Sequence, residues 1–227
     1  MTTPTPETLA LLGGTGDLGT GLAWRWARAG HRILIGSRTA ERAEEAAAKL
    51  RERCPGADVR ALDNVAAARE ATIVALTVPA AHQLDTLATV REALQGKILI
   101  DVTVPLVPPK VGTVQLPPEG SAGKRAQLLL GDGVDVVSAF QNVSALLLQQ
   151  DVQIQCDVLV AGGGAAFVPW LKALKAELKI PATLKEAGVT SGKIEPLVKV
   201  AIADGCHPSN PVQVTEADFR AIFTSLV

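Results

Sequence analysis

The sequence predicts an α/β fold, a doubly wound and mostly parallel sheet followed by a small all-helical region. Three observations carry this expectation. Short apolar runs alternate with helix-length segments as far as Ala161, the pattern of a parallel sheet with crossover helices. A G-x-G-x-x-G turn, Gly14-Thr15-Gly16-Asp17-Leu18-Gly19, joins the first apolar run to the first helical segment. Beyond Gly164 the apolar spacing becomes purely helical. A chain of 227 residues has room for an α/β domain of about 150 residues and a smaller appendage. The expected division is residues 1–164 and 165–227.

In chain order, residues 1–7 read as a frayed leader without the basic n-region of a signal peptide. Strands are expected at Thr8–Leu12, Arg32–Ile35, Val59–Leu62, Ile73–Thr77, Lys97–Val102, Val134–Ser138 and Asp157–Ala161. Helices are expected at Leu18–Ala29, Ala40–Arg53, Ala81–Leu94 and Ser121–Leu130. Gly30 reads as the stop of the first helix. The Pro-rich stretch Thr103–Gly120 reads as a long loop leaving a strand end, and loops of that kind are usually functional. In the tail, Leu171, Leu174 and Leu178 form one apolar stripe, and Ile194, Leu197 and Ala201 another. Thr215 with Asp218 resembles a capping box opening a last helix, with Phe219, Ile222, Phe223 and Leu226 at helical spacing.

The glycine turn lies between strand and helix, the context of a dinucleotide-binding, Rossmann-type fingerprint. Gly14 permits the tight turn, Gly16 lets backbone N–H groups approach a pyrophosphate, and Gly19 lets the helix pack close to the strand. The helix N-terminus favours the anion. The end of the second strand selects the nucleotide. An NAD site usually has an acidic residue there, for the ribose 2′-hydroxyl. This chain has Gly36-Ser37-Arg38, with Arg42 one helical turn on. A hydroxyl and two guanidiniums match a 2′-phosphate, so NADP is the expected cofactor.

Hydrophobic content of 48% suffices for a core, and a net charge of −1 argues against a nucleic-acid role. No apolar run reaches the roughly 18 residues of a membrane span. Cys54, Cys156 and Cys206 are far apart and in no metal spacing, which suits a reducing cytosol. The chain contains no Tyr, which excludes the Tyr-Lys proton relay of short-chain dehydrogenases. His31 begins a strand and reads as structural. His82 sits in a helix-opening turn, and His207 lies beside Cys206 without enough neighbouring ligands for a metal. No nucleophilic triad or paired-carboxylate arrangement is visible. Three strand ends, Thr77-Val78-Pro79, Asp101–Pro105 and Ser138–Ser144, converge on the nucleotide side, which predicts a second ligand pocket. A simple carbonyl reductase needs a proton donor. Hydride exchange between two bound cofactors needs chiefly near-contact geometry, so a cofactor is the expected second substrate.

Leu11–Gly19, Gly36-Ser37-Arg38, Thr77-Val78-Pro79 and Val137–Ala145 together resemble the NADPH-dependent reductases of coenzyme F420, a 5-deazaflavin. The resemblance runs from about Leu9 to Gly162, with four motifs in family order. It implies that Thr15, Gly16 and Leu18, within the turn Gly14–Gly19 that includes Asp17, hold NADP together with Ser37, Arg38 and Arg42. It implies further that Thr77, Val78 and Pro79 line the nicotinamide side. The deazaflavin would lie near Val104 and the segment Phe140, Gln141 and Val143. From about Phe167 the tail is similar instead to the C-terminal helices of iron-dependent alcohol dehydrogenases, without that family's metal ligands. No metal is therefore expected.

The reading is an NADP-dependent oxidoreductase passing hydride directly between NADP(H) and F420, cytoplasmic, with a homodimer as the default association for the fold. The expected partners are small-molecule cofactors, with no nucleic acid and no membrane. The alternatives are an NADP-dependent reductase of a small imine or carbonyl, and an NADP-binding protein without turnover.

Overall fold

The computed structural model describes residues 6–106, 115–154, 156, 158–162, 183–203 and 214–227. The chain divides into two compact units, Met1–Ala173 and Leu174–Val227. In the first, β1 (Thr8–Leu12), β2 (Arg32–Ser37), β3 (Val59–Asp63), β4 (Ile73–Leu76), β5 (Ile98–Asp101), β6 (Asp135–Ala139) and β7 (Val160–Gly162) form one sheet. The strand order is β3-β2-β1-β4-β5-β6-β7. The first six strands are parallel, and β7 runs antiparallel to β6 with Ala139 opposite Val160. The order reverses beside β1, where Leu12 pairs with Gly36 on one side and Leu76 on the other. Ligands of open parallel sheets bind at such a switch point.

The interiors of the central strands are apolar because both faces are covered. Leu9–Leu12 of β1 and Ile33–Ile35 of β2 are fully buried. The covering helices in this unit are α1 (Asp17–Arg28), α2 (Ala40–Arg53), α3 (Asn64–Glu70), α4 (Gln83–Val90), α5 (Ala122–Leu130) and the short α6 (Ala145–Leu148). On one face Leu12, Leu34, Leu76 and Leu99 pack with Ala67, Leu87 and Leu130 in a single cluster.

Most expected elements appear with ends shifted by a residue or two. The helix expected at Ala81–Leu94 is broken into a 3₁₀ turn (Ala80–His82), α4, and a second 3₁₀ turn (Glu92–Leu94). No side chain caps its start, and Gln83, its first α-helical residue, is drawn into the core by partners on other elements. The residue pattern did not foresee α3. Asp63 makes that helix: its carboxylate accepts from the N–H groups of Val65 and Ala66, both at 2.9 Å. At the far end of α3, Lys97 Nζ donates to the carbonyls of Ala68, Arg69 and Ala71 at 2.6, 2.6 and 2.8 Å. Burial, and then Arg69, push that ammonium below the usual lysine range. The strand expected from Asp157 begins at Val160, and Asp157 itself lies outside the described residues.

The second unit contains α7 (Ile194–Ala203) and α8 (Glu216–Ser225). Val198 is its buried residue on α7, while Ile194, Leu197 and Ala201 are half-buried. The capping box is present: Thr215 Oγ1 accepts from the Asp218 N–H, and the Asp218 carboxylate accepts from the Thr215 N–H at 2.8 Å. Arg220 joins the two helices by paired bonds to Glu195 at 2.6 and 3.0 Å. Leu171, Leu174 and Leu178 lie outside the described residues.

α1 packs so closely on the β1 turn that a Cβ on Gly19 would lie 2.8 Å from both Gly14 Cα and Thr77 Oγ1. One of those neighbours is backbone and cannot swing aside. Gly19→Ala should therefore lower stability by about 1–3 kcal/mol through overpacking. Gly16→Ser, where a Cβ meets nothing within 4 Å, should stay within about 0.5 kcal/mol. Urea midpoints of the two variants check this, and equal midpoints would refute the close-packing role of Gly19.

Candidate functional site

A cavity of about 570 Å³ opens at the carboxyl ends of β1, β2 and β4. Its floor is the glycine turn. Gly13, at φ +71°, takes the left-handed conformation that closes it, and a Cβ there would run into Val78 Cγ1. Gly13 N–H donates to the Gly36 carbonyl at 3.0 Å, which ties the turn to the end of β2. Gly16 is the N-cap of α1, and no side chain caps that helix. Orphan N–H groups and open space above Gly16 therefore meet at the cavity, which suits a bulky anion such as a pyrophosphate.

The outer wall carries Ser37, Arg38, Thr39 and Arg42. Ser37 is buried at the end of β2, and its Oγ accepts from the Thr39 N–H at 3.4 Å. Arg38 and Arg42 are exposed and make no hydrogen bond or ion pair among the described residues. Several other arginines are engaged: Arg28 pairs with Asp151, Arg51 with Glu44, and Arg60 with Glu70. Two unengaged guanidiniums at a cavity mouth are an open anion site. The inner wall is Thr77, Val78 and Pro79. Thr77 Oγ1 donates to the Leu12 carbonyl at 3.0 Å, which holds this segment against β1.

Of the residues expected at the nucleotide, Thr15, Gly16, Ser37, Arg38, Arg42, Thr77, Val78 and Pro79 share this cavity. Gly14, Leu18 and Gly19 are not on its wall; Gly14 and Gly19 form the packed turn behind it. Asp17 faces a different crevice, of about 550 Å³, between α1 and α2. That crevice offers no open cation beyond Arg42, because Lys49 pairs with Glu45 at 2.6 Å, and Arg53 bonds Gln149 and stacks 3.7 Å over Trp24. Thr39, Asn64, His82 and Thr86 line the nucleotide cavity although the residue pattern did not place them there. Asn64 is almost fully buried, with Oδ1 lacking a protein partner. Its position directly after a parallel strand was the available signal, since such residues face the ligand end of the sheet. His31 is structural: its Nδ1 accepts from the Glu7 N–H at 3.1 Å.

The residues expected at the second ligand lie at the ends of β5 and β6, off the wall of that cavity. Val104 is half-buried, three residues beyond Asp101 in the exit from β5. Phe140, at φ +69°, is the non-glycine residue in the left-handed region among the described residues. A bulky side chain there stores roughly 1–3 kcal/mol of strain, of the kind that clusters at functional sites. Its ring meets Trp26 edge-on at 6.0 Å between centroids, which holds the turn. The turn aims Gln141 back across the sheet, where Nε2 donates to the Asp101 carbonyl at 2.8 Å. Val143 N–H closes it on the Phe140 carbonyl at 3.2 Å. Burial pushes the Asp101 carboxyl above the usual aspartate range, opposed by the Thr103 N–H and hydroxyl, Gln83 and Arg125. Among the described residues no cluster of three or more His, Cys, Asp or Glu could hold a metal, and no helix is long and apolar enough to cross a membrane. His207 and Cys206 lie outside the described residues.

Residues 8–105 match the family described as NADP oxidoreductase, coenzyme F420-dependent. Residues 138–227 match the C-terminal part of the Fe-containing alcohol dehydrogenase family. The F420-dependent NADP reductase of Methanocaldococcus jannaschii is 43% identical over 162 residues, 68% of this chain and 72% of that protein. Its counterpart in Methanothermobacter marburgensis is 45% identical over 161 residues, 67% of this chain and 71% of that protein. Among solved structures, a putative F420-dependent NADP-reductase from an Arthrobacter species superposes with a TM-score of 0.63 at 24% identity, covering 76% of this chain and 81% of that one. A reductive aminase from Aspergillus terreus gives 0.54 at 18% identity, covering 97% and 72%. These two structures share the fold. The sequence relatives share more than the fold, and by their identity and coverage this chain belongs to the F420-dependent NADP reductase family.

Proposed function

We propose that this chain passes hydride between NADP(H) and the deazaflavin coenzyme F420. The observation that carries the reading is the pair of unengaged guanidiniums, Arg38 and Arg42, beside an uncapped glycine-turn helix, in a chain of this family. The nicotinamide and the deazaflavin supply the redox chemistry themselves. The protein's tasks are then to bind, to orient and to exclude water. Thr15 and Gly16 receive the pyrophosphate at the start of α1, while Gly14, Leu18 and Gly19 shape that turn and Asp17 flanks it. Ser37, Arg38 and Arg42 take the 2′-phosphate. Thr77, Val78 and Pro79 bound the nicotinamide, and Val104, Phe140, Gln141 and Val143 bound the deazaflavin.

No residue takes an acid–base role in this reaction, and no metal is invoked. We place residues 1–164 as the nucleotide-binding domain and residues 165–227 as a helical region. We further propose a homodimer in the cytoplasm, the default association for such a fold and the compartment that suits widely spaced cysteines. One observation favours a second reading, NADP binding without turnover. Residues 138–227 match a different family, and these include the segment assigned to the deazaflavin.

Two outcomes test the reading. Arg38→Ala should weaken NADPH binding by about 10–150-fold, the loss of one charge-assisted contact, and leave NADH nearly unchanged. Titration of NADPH fluorescence measures both, and equal losses would mean that Arg38 supports the fold instead of a phosphate. Deuterium on the transferring face of the nicotinamide should appear in reduced F420, with no wash-in from solvent at that carbon. Tight NADPH binding without label transfer would favour the binding-only reading.

A further inference from the structure

A polar cluster lies in the core behind the strand ends that frame the two ligand positions. Gln83 and Asp101 are fully buried and Thr103 nearly so. Gln83 Nε2 donates to Asp101 Oδ2 at 2.7 Å, to Thr103 Oγ1 at 3.1 Å and to the Ala122 carbonyl at 3.0 Å. Its Oε1 accepts two bonds from Arg125, from Nε at 2.8 Å and Nη2 at 2.6 Å. Arg125 Nη2 also donates to the Ala80 carbonyl at 3.3 Å. A guanidinium only donates and a carboxylate only accepts, so the amide has one permitted orientation. On its other side, Asp101 Oδ1 accepts from the Thr103 N–H at 3.0 Å, and the Asp101 carbonyl accepts from Gln141.

The cluster therefore fastens three strand exits to one another. Through Gln83 and Arg125 it holds the segment that follows Pro79. Through Asp101 and Thr103 it holds the exit that leads to Val104, and through the Asp101 carbonyl it holds Gln141. We propose that the Gln83–Asp101 pair is a positioning device that sets the separation and tilt of the nicotinamide and deazaflavin sites without touching either ligand. This rests on the two-cofactor reading above. The pair matters to rate because hydride transfer needs reacting atoms about 3–3.5 Å apart, and a misplacement of about 1 Å can cost 10²-fold.

The test exploits the fact that Asp101 accepts on both sides. In Asp101→Asn the side chain keeps its shape but must turn its amino group toward donors on one side or the other, Gln83 or Thr103. In the double variant Gln83→Glu/Asp101→Asn the polarity of the pair is exchanged. The amide now at position 101 donates to the carboxylate now at position 83, which still accepts from Arg125 but can no longer donate to the Ala122 carbonyl. Three quantities are read on each protein: NADPH affinity, kcat with F420, and quenching of F420 fluorescence by bound NADP⁺, a non-reacting pair that reports stacking. Asp101→Asn should lower kcat by about 30–100-fold and reduce the quenching, with NADPH affinity changed by less than about threefold. The double variant restores the bond between positions 83 and 101 but not the one to Ala122, so it should recover part of both, with kcat at least about threefold above that of Asp101→Asn and measurably stronger quenching. If either single or double variant does not fold, Arg125→Met, which removes one anchor of the same amide, is read in the same way.

A loss of stability with kcat and quenching intact would overturn the proposal, as would a folded, NADPH-binding double variant that recovers neither. The failure of the reaction itself is distinguishable. If the parent quenches F420 but transfers no hydride, the turnover reading fails, and positioning is still decided by quenching in the variants. If the parent shows no quenching, the two ligands do not meet, and the positioning proposal is overturned.

Discussion

The first unit is organised around the close approach of α1 to the end of β1. Gly14 and Gly19 bring the two backbones nearer than any Cβ permits, with Thr77 Oγ1 on the same spot. That approach fixes where the first turn of α1 points. It also sets Gly13 against Gly36 and Val78, so the ends of β1, β2 and β4 are locked at one level. Because the strands are parallel, all of these ends open toward the same side of the sheet. A cavity there follows from backbone geometry, and its side chains only decide what it accepts.

Charge provides that decision. Near the cavity mouth Arg38 and Arg42 form no ion pair among the described residues, while Arg28, Arg51 and Arg60 are paired with carboxylates and Arg53 is stacked. Exposed guanidiniums held with like charge at the start of α2 oppose the helix dipole, so they gain nothing for local stability. Their use lies in an anion. At the opposite end of the site the interactions are buried. Gln83, Asp101 and Arg125 form a satisfied polar network in the core, where low dielectric makes each bond strong and each unpaired group costly. The nucleotide cavity is thus open and electrostatic at its mouth, and the strand exits beside it are backed by a buried hydrogen-bonded network.

The strands and the glycine turn were legible because their signals are local. Thr8–Leu12 and Ala40–Arg53 come out with the ends the residue pattern predicts, one from an apolar run and one from alanine spacing. The short α3 was not legible, since seven residues give too little periodicity, although Asp63 as an N-cap was a usable cue. The break of the helix expected at Ala81–Leu94 was invisible for a different reason. It reflects Gln83 turning inward to partners that lie far along the chain.

The order of elements, the turn at Gly14–Gly19 and the basic end of β2 follow from residue order, because each depends on neighbours within a few positions. Packing in three dimensions was needed to bring Asn64, His82 and Thr86 to the cavity wall and to turn Asp17 away from it. It also set the antiparallel direction of β7, the left-handed turn at Phe140 and the junction of three strand exits at Gln83 and Asp101. These depend on side chains brought together from distant positions, where burial and hydrogen-bond satisfaction act on pairs that no local pattern records.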